Sequence, residues 1–227
     1  MNWRFSPFTL NHQSPVPALL LLALALQPAD LRAQSGDRDQ WQRVPDVIAA
    51  LAIGPGSQVA DIGAGNGYFT THLARHVGSS GAVFAVEISE GELSRLRRLA
   101  EDAGLDNVEV VRGVIDDPGL PKQSLDAALV VDAYHEMTEH DAMLAGMRRA
   151  LRPGGRLVII DLVPNDRSAS RDRQTESHRI SIELVEQEVR AAGFEVLESD
   201  PEFTSTGRGT RQWMLVARRP AQPGTGS

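Results

Sequence analysis

Cysteine does not occur anywhere in the 227 residues of this chain. Its absence excludes disulfide bonds, zinc–thiolate sites, cysteine nucleophiles and a lipid-modified cysteine at the amino terminus. It also excludes reactions in which a protein holds a soft metalloid through thiolate sulfur. Several classes of redox, hydrolytic and metal-binding protein are thereby set aside.

Positive charge is also scarce, because 23 Lys and Arg stand against 30 Asp and Glu, a formal net charge of -7. Nucleic-acid-binding proteins usually show a basic domain or stripe. Arginines cluster twice, but both clusters fall on predicted helices with acidic residues nearby, which favours a solvated face: Arg95, Arg97 and Arg98, and Arg148, Arg149 and Arg152. We therefore expect no nucleic acid among the partners.

The apolar run over residues 18–26 is too short to span a membrane. It follows a positive charge at Arg4 and precedes Leu31-Arg32-Ala33, a candidate cleavage site. This order is typical of a secretory signal peptide over residues 1–33, and it predicts a periplasmic or secreted protein with no stable membrane insertion after cleavage. The alternatives are a disordered extension or a start codon placed too far upstream, with a cytoplasmic protein as the result.

From residue 37 onward, short apolar runs alternate with amphipathic helical patterns. Such alternation is typical of a parallel sheet covered by helices on both faces, and right-handed crossovers make it a doubly wound, Rossmann-like α/β layer. Two later strands joined by a polar loop favour an antiparallel pair. The predicted strands cover residues 59–62, 82–87, 107–112, 125–131, 156–162, 194–198 and 212–217, and the predicted helices 45–52, 68–76, 90–103, 139–151 and 180–192.

Two segments are expected to lack regular structure. Residues 165–178 are polar and are predicted to form a mobile surface loop. Residues 219–227 are predicted to be a disordered tail. The predicted folded domain therefore covers residues 37–218.

The most informative motif is the turn after the first predicted strand, with glycines at Gly63, Gly65 and Gly67. Glycine permits backbone angles closed to other residues, and a strand that turns sharply into a helix points free N–H groups at a ligand. A dinucleotide fingerprint would need a third glycine where Tyr68 stands, and a phosphate loop would need a lysine. The motif therefore favours a small charged ligand other than a dinucleotide.

Acidic residues follow the first three predicted strands, where ligands of doubly wound sheets bind. Asp61 ends the first strand. Glu87 ends the second, twenty residues after Gly67, which suits the two hydroxyls of a ribose. Asp116 or Asp117 follows the third and could recognise an adenine amino group, although an Asp-Asp-Pro turn explains both residues equally well.

The fourth strand ends in an unusual cluster of Asp132, Tyr134, His135 and Glu136. Asp132 is expected to face the ligand between the first and fourth strands. Tyr134 and His135 are candidate catalytic residues, because an imidazole titrates near neutrality and suits a general base. The alternative is that both aromatic rings only cap and pack the start of the next helix.

Three further residues are weaker candidates. Asp161 and Asn165 follow the fifth strand and, with Asp132, could ligate a divalent ion through oxygen. Their spacing is loose, so we expect no metal. His178 precedes the last long helix and either lines an acceptor pocket or only begins that helix.

Four segments together resemble the class I methyltransferases that use S-adenosylmethionine: residues 59–69, 85–88, 130–136 and 151–157. Within that family the chain is similar to small bacterial methyltransferases, some of them exported, that share the Asp-Arg-Asp-Gln-Trp segment at 37–41. These are distantly similar to quinone-ring and arsenite methyltransferases. Arsenite methylation needs cysteines, so that activity is set aside.

The resemblance implies a seven-stranded sheet whose last strand is antiparallel, and S-adenosylmethionine as cofactor. It implies that Gly63, Gly65 and Gly67 pack on the methionine part of the cofactor and that Asp61 acts near its amino group. It further implies Glu87 at the ribose, Asp116 or Asp117 at the adenine, and Asp132 near the sulfonium.

The expected function is methyl transfer to an unidentified, small-molecule acceptor. The alternative is a protein that binds S-adenosylmethionine or S-adenosylhomocysteine without catalysis. A nicotinamide oxidoreductase is disfavoured by Tyr68. One conflict stays open, because S-adenosylmethionine is made in the cytosol while residues 1–33 favour export.

Overall fold

The computed structural model describes residues 38–205 and 210–221. They belong to one structural unit, which begins at Asp37. The expected signal peptide at 1–33 lies outside the described residues, as does the end of the expected tail, residues 222–227.

Seven strands form one sheet in the order β3-β2-β1-β4-β5-β7-β6. The first five are parallel, and β7 lies antiparallel between β5 and β6. The predicted doubly wound sheet and the terminal antiparallel pair are therefore confirmed. The strands are β1 Gln58–Ile62, β2 Ala82–Glu87, β3 Val108–Arg112, β4 Leu125–Val131, β5 Leu151–Leu162, β6 Glu195–Ser205 and β7 Arg211–Arg218.

Six helices are described with their bounds, together with a single 3-10 turn over Tyr134–Glu136. One face of the sheet packs against α1 and α2, and the other packs against α4 and α6. β4 is buried on both faces because helices cover each of them, as its unbroken apolar sequence predicts. The helices are α1 Val44–Leu51, α2 Tyr68–Val77, α3 Glu90–Asp102, α4 His140–Ala150, α5 Arg171–Glu176 and α6 Ile182–Ala191.

The start of β5 differs from the sequence prediction. The sequence predicts a helix to residue 151 and a strand that begins only at residue 156, with the segment Pro153, Gly154 and Gly155 between them. Instead, α4 ends at Ala150 and β5 begins at once with Leu151, which pairs with Leu125 of β4. A register shift in that pairing, after Leu125, accommodates the segment inside the strand. Gly154 there has φ of 85°, which a non-glycine residue rarely adopts.

The polar stretch 165–178 is not the irregular loop that the sequence predicted. It contains α5, and Gln174 within that helix is only 1% exposed. The Gln174 amide donates to the carbonyl of Ala169 at 2.8 Å and accepts from the N–H of Ser181 at 2.7 Å. The prediction failed because a single buried amide, rather than an apolar stripe, fastens this segment to α6.

The carboxyl-terminal side of β7 continues to pair beyond the expected domain limit. The Arg219 N–H donates to the carbonyl of Gly155 at 2.9 Å, and its carbonyl accepts from the N–H of Gly154 at 2.8 Å. Among the helices of residues 38–205 and 210–221, none is long and apolar enough to cross a membrane.

Candidate active site

The candidate site lies at the carboxyl ends of the parallel strands, where the order reverses between β1 and β4. This switch point is where ligands bind in doubly wound sheets. Two cavities open here, of about 260 Å³ and about 200 Å³. They share Gly63, Gly65 and Asp132 as lining residues and therefore adjoin. We call them the first and the second cavity.

The glycines of the β1–α2 turn have different surroundings. A Cβ at Gly65, which has φ of 53°, would meet nothing nearer than the Gly63 carbonyl at 4.0 Å. Because Gly65 lines both cavities, the added atom would lie at their common wall. A Cβ at Gly67 would instead collide with Leu96 and Leu99 of α3, and Gly67 lines neither cavity. Gly65 thus keeps room for a ligand, whereas Gly67 allows α3 to pack.

Asp61 lines the second cavity at the end of β1 and is 3% exposed. Its Oδ2 accepts a hydrogen bond of 2.6 Å from the Thr70 hydroxyl of α2. Burial raises the pKa of this carboxyl to about 6, and the nearby charge of Glu87 adds to the rise. Within the part of the chain that the structure describes, the negative charge of an ionised Asp61 therefore has no positively charged group close enough to offset its burial. An amino group of a ligand in the second cavity would offset it, and this is the role that the sequence predicts for Asp61.

Glu87, at the end of β2, lines the first cavity. Its Oε1 accepts from the N–H of Gly65 at 2.9 Å, and its Oε2 accepts from the N–H of Ile88 at 2.9 Å. Each carboxylate oxygen can accept a second hydrogen bond. Glu87 therefore fixes the glycine turn and still has acceptor capacity for two hydroxyls of a ligand.

Exposed apolar residues surround the same cavity, a feature that the sequence reasoning missed. Ile88, Val114 and Ile115 line it and are 59%, 52% and 58% exposed. Large apolar side chains are rarely left in water in such a group unless they contact a partner. These three provide apolar walls for a flat ring.

Neither of the two acids predicted at the adenine lines a cavity. Asp117 accepts from Arg149 of α4 at 3.0 Å and from the N–H of Gly119 at 2.9 Å. Asp116 is exposed. The turn alternative noted for this segment fits these contacts, and the prediction of an adenine contact is corrected accordingly.

Asp132 follows β4 and lines both cavities. Its backbone has φ of 52°, a left-handed conformation that costs a non-glycine residue about 1–3 kcal/mol and is concentrated at functional sites. Gln212 of β7 donates to its Oδ1 at 2.8 Å. Burial, with the charge of Asp161 in addition, raises the pKa of Asp132 to about 6.

Tyr134 lies in the core and not in either cavity, contrary to its predicted catalytic place. It is 0% exposed, and its hydroxyl donates to Glu188 of α6 at 2.7 Å. Burial and the Glu188 charge raise the pKa of the phenol above its usual range. The hydroxyl therefore fastens the turn after β4 to α6, which agrees with the packing alternative given for this residue.

His135 is held by a buried carboxylate. Its Nδ1 lies 2.8 Å from Oδ1 of Asp161, and its main-chain N–H donates to Oδ2 at 3.0 Å. His135 is 3% exposed and Asp161 is 0% exposed. Burial alone would lower the pKa of the imidazole, but the hydrogen bond and charge of Asp161 outweigh it and raise that pKa.

Two exposed side chains lie next to this pair. The Nε2 of His135 is 3.7 Å from Oε1 of Glu136, which lines the first cavity. The Nδ1 of His178 is 3.9 Å from the same oxygen, and the two imidazole rings meet edge to face at 5.7 Å. His178 is thus beside His135 but lines neither cavity, and its place in an acceptor pocket stays a prediction.

The structure does not bring Asp132, Asp161 and Asn165 together as the oxygen ligands of a divalent ion. Both carboxylate oxygens of Asp161 already accept N–H groups, two from His135 and one from Leu162 at 2.6 Å. Asn165 lies exposed beyond β5.

Arg38 is a cavity residue that sequence reasoning did not single out. Its guanidinium lies 3.7 Å above the Tyr68 ring, and it lines the second cavity together with that ring. The Tyr68 hydroxyl donates to Asp39 at 2.5 Å. The buried Nε of Arg38 has no hydrogen-bond partner among the described residues. The available signal was the Asp-Arg-Asp-Gln-Trp segment.

Comparison with known proteins finds relatives of part of this chain. A family model described as a methyltransferase domain matches residues 59–155. The ubiquinone/menaquinone biosynthesis C-methyltransferase of Hahella chejuensis is 33% identical over 122 residues, which are 53% of this chain and 48% of that protein. The chain is thus similar to methyltransferases in sequence over residues 59–155 and has the fold of a class I methyltransferase. It spans about half the length of the curated relatives it matches.

Solved structures confirm the methyltransferase fold. An S-adenosylmethionine-dependent methyltransferase from Aquifex aeolicus has a TM-score of 0.69 at 22% identity, covering 86% of this chain and 99% of that one. The cyclase SpnF also has a TM-score of 0.69, at 21% identity, covering 79% and 81%.

The part of the chain that the family model matches ends at residue 155. It includes the glycine turn, Glu87 and His135, but Asp161, His178 and Gln212 lie beyond it.

Proposed function

We propose that the protein transfers a methyl group from S-adenosylmethionine to a small-molecule acceptor. The observation that carries the proposal is the pair of adjoining cavities that meet at Gly65 and Asp132. The first has apolar walls and the carboxylate of Glu87, and the second is lined by Asp61 and Arg38. The similarity of residues 59–155 to a methyltransferase domain supports the same cofactor.

The residues fit that cofactor. In the first cavity, Ile88, Val114 and Ile115 suit the adenine ring, and Glu87 suits the ribose hydroxyls. In the second, Asp61 complements the amino group of the methionine part, and the unpartnered Nε of Arg38 complements its carboxylate. Asp132, shared by both, would lie nearest the sulfonium.

The bound cofactor would supply a methyl group that is already activated on a positive sulfur. The chain therefore mainly has to align the acceptor, and such placement supplies roughly 7–11 kcal/mol of a barrier. The His135–Asp161 pair adds a base for an acceptor that carries a proton. With Nδ1–H donating to Asp161, Nε2 is the free lone pair of the imidazole.

Two further hypotheses concern the acceptor and the activity. The matched relatives are named ubiquinone/menaquinone biosynthesis C-methyltransferases, which makes a carbon atom of a quinone-related molecule one candidate acceptor. Binding without methyl transfer is the second candidate function, because the structurally similar SpnF is named as a cyclase and a fold can host unrelated activities.

We also propose export directed by residues 1–33, with cytoplasmic action as the alternative. Export would place the enzyme away from the cytosol, where its cofactor is made. A small-molecule acceptor in the outer compartment then requires that the cofactor reach that compartment.

The test is a product assay. Purified protein is incubated with S-adenosylmethionine and fractionated small-molecule extracts, and release of S-adenosylhomocysteine is measured above the rate without acceptor. Acceptor-dependent release that falls in His135→Ala supports methyl transfer. Tight cofactor binding with no release from any fraction would favour the non-catalytic function.

A further inference from the structure

We propose that His135, Glu136 and His178 bind a divalent transition-metal ion of the zinc class. Their three donor atoms, two imidazole nitrogens and one carboxylate oxygen, all lie within 4.8 Å of one another. Binding of the ion does not depend on the proposed methyl transfer. Only the catalytic role derived below rests on that function.

The distances are close to those that a metal requires. Zinc–nitrogen and zinc–oxygen bonds of about 2.0–2.2 Å in a tetrahedron place neighbouring donors about 3.4 Å apart. The glutamate oxygen is 3.7 Å from the His135 nitrogen and 3.9 Å from the His178 nitrogen. Glu136 and His178 have side chains that are 67% and 75% exposed. Small rotations of these free side chains therefore complete the geometry around a fixed His135.

Asp161 prepares His135 for this role. Metal-binding histidines nearly always donate their other ring N–H to a carboxylate or carbonyl, which sets the tautomer and orients the ring. Here Asp161 accepts from Nδ1 at 2.8 Å and also from the main-chain N–H of His135 at 3.0 Å. The remaining nitrogen, Nε2, is the one nearest Glu136. Packing at the start of a helix does not require a buried carboxylate that makes two hydrogen bonds to one histidine.

The backbone at His178 is a second independent feature. It has φ of 54°, a conformation in which a non-glycine side chain costs about 1–3 kcal/mol and which clusters at ligand sites. α5 fixes the preceding residues, because Arg171 donates to Glu188 at 2.7 Å and to the carbonyl of Met137 at 3.1 Å. The chain thus holds an imidazole where glycine or asparagine would fit with less strain.

Other histidines do not form an equivalent site. His140 lies 3.3 Å from Glu188, but that carboxylate already accepts from Tyr134 and Arg171. Within residues 38–205 and 210–221, the His135, Glu136 and His178 set is the one group of three such donors found close enough to share an ion.

The donor set also selects the ion. Imidazole nitrogen suits zinc, cobalt and nickel, whereas magnesium and calcium prefer sites built wholly from oxygen. Three protein donors leave a fourth position for a small ligand, as in catalytic zinc sites. Because Glu136 also lines the first cavity, that position faces the space beside the cofactor site.

On the proposed function, the fourth position takes a hydroxyl oxygen of the methyl acceptor. An oxygen bound to such an ion would lose its proton to solvent near neutral pH. The oxygen would then attack the sulfonium methyl group, so that a C–O bond forms as the S–C bond breaks and S-adenosylhomocysteine leaves as a neutral thioether. The ion then occupies the Nε2 lone pair and replaces His135 as the activating group. The inference therefore names a hydroxylated acceptor as the substrate class.

The experiment uses full-length protein without an affinity tag, treated with chelator and dialysed. Zinc chloride is titrated by calorimetry, and cobalt chloride by visible absorption, against wild type, His178→Asn and Glu136→Gln. Asparagine tolerates the left-handed backbone, so His178→Asn removes the imidazole without new strain. The matched control is His140→Gln, which removes an imidazole that also lies beside carboxylates. Circular dichroism verifies that each variant is folded.

We expect one zinc ion per chain in wild type and in His140→Gln, with affinity at least tenfold weaker in both cluster variants. We also expect cobalt to give the visible bands of a site with nitrogen donors, and these bands to disappear in His178→Asn. No saturable binding in wild type, or equal affinity in all four proteins, would overturn the inference. Titration with S-adenosylmethionine, with and without zinc, measures the affinity of the cofactor site independently of the metal site. Failure of the zinc proposal can therefore be distinguished from failure of the proposed cofactor binding.

Discussion

The main-chain N–H of Gly65 donates a hydrogen bond of 2.9 Å to the carboxylate of Glu87. This bond joins the turn after β1 to the end of β2, so that the residue proposed to hold the ribose also shapes the turn beneath it. Binding of the nucleoside and order of the glycine turn are thus coupled through one side chain.

Glu87→Ala is therefore expected to weaken S-adenosylmethionine binding by about 1–3 kcal/mol, the range for loss of hydrogen bonds at a buried polar group. Asp116→Ala is the matched control, because Asp116 is an exposed acid on the next strand end that lines neither cavity. The dissociation constants of wild type and of both variants are measured by calorimetry. Equal affinity in Glu87→Ala and wild type would remove Glu87 from the site.

Gly65→Ala is expected to reduce cofactor affinity strongly, because the new methyl group projects into the shared space of the two cavities. Gly104→Ala is the control for backbone strain. Gly104 has φ of 61°, and a Cβ there would also meet nothing within 4 Å, but it lines neither cavity. If both substitutions lower affinity equally, the effect comes from strain and the ligand does not occupy this space.

Asp61→Asn is expected to make the folded protein more stable at pH 7.5. Burial raises the folded-state pKa of Asp61 from 3.8 to about 6, so the folded carboxyl binds a proton more tightly than the unfolded one. Stability is therefore lost as pH rises from about 4 through about 6, and asparagine avoids this loss. At 1.36 kcal/mol per unit, the gain at pH 7.5 is at most about 3 kcal/mol.

Urea unfolding at pH 7.5 and at pH 4 tests this sign. The advantage of Asp61→Asn should shrink towards zero at the lower pH, and cofactor affinity should fall because the negative charge is gone. Asp116→Asn, an exposed counterpart, serves as control. A less stable Asp61→Asn at pH 7.5 would mean that the Thr70 hydrogen bond outweighs the burial of the charge.

His135→Ala is expected to lower turnover by about 10²–10⁴-fold while cofactor affinity stays unchanged. Tyr134→Phe is the informative companion, since it removes only a hydroxyl bonded to Glu188 in the core. It should cost roughly 1 kcal/mol of stability and leave turnover per folded molecule near wild type. A large loss of turnover in folded Tyr134→Phe would restore the phenol to the catalytic group.

Sequencing of the native protein's amino terminus tests export. We expect the mature chain to begin near Gln34, after the candidate cleavage site. An intact Met1 in protein recovered from the cytosolic fraction would contradict export and would remove the conflict over the supply of the cofactor.

The sequence predicted β2 and β4 to the residue because both are continuous apolar runs buried between helices. It predicted too short a β6, since that strand lies at the sheet edge and carries polar residues such as Glu198 and Asp200. It missed α5 because Gln174, rather than an apolar stripe, anchors that helix.

The same reasoning explains the candidate site. Asp61, Glu87 and Asp132 could be found because strand ends of a parallel sheet meet at one edge. Ile88, Val114 and Ile115 could not, because an apolar residue in a loop carries no chemical signal until its exposure is known. Tyr134 was misplaced because only the fold brings Glu188 to its hydroxyl.

The most direct test of the proposed cofactor site is calorimetric titration of the purified protein with S-adenosylhomocysteine. This ligand should fill the same cavities without undergoing a reaction. We predict saturable binding of one molecule per chain, clearly weakened in Gly65→Ala and retained in Gly104→Ala, with no competition from NADH. Folded wild-type protein that gives no binding at saturating S-adenosylhomocysteine, or binding that NADH displaces, would contradict it.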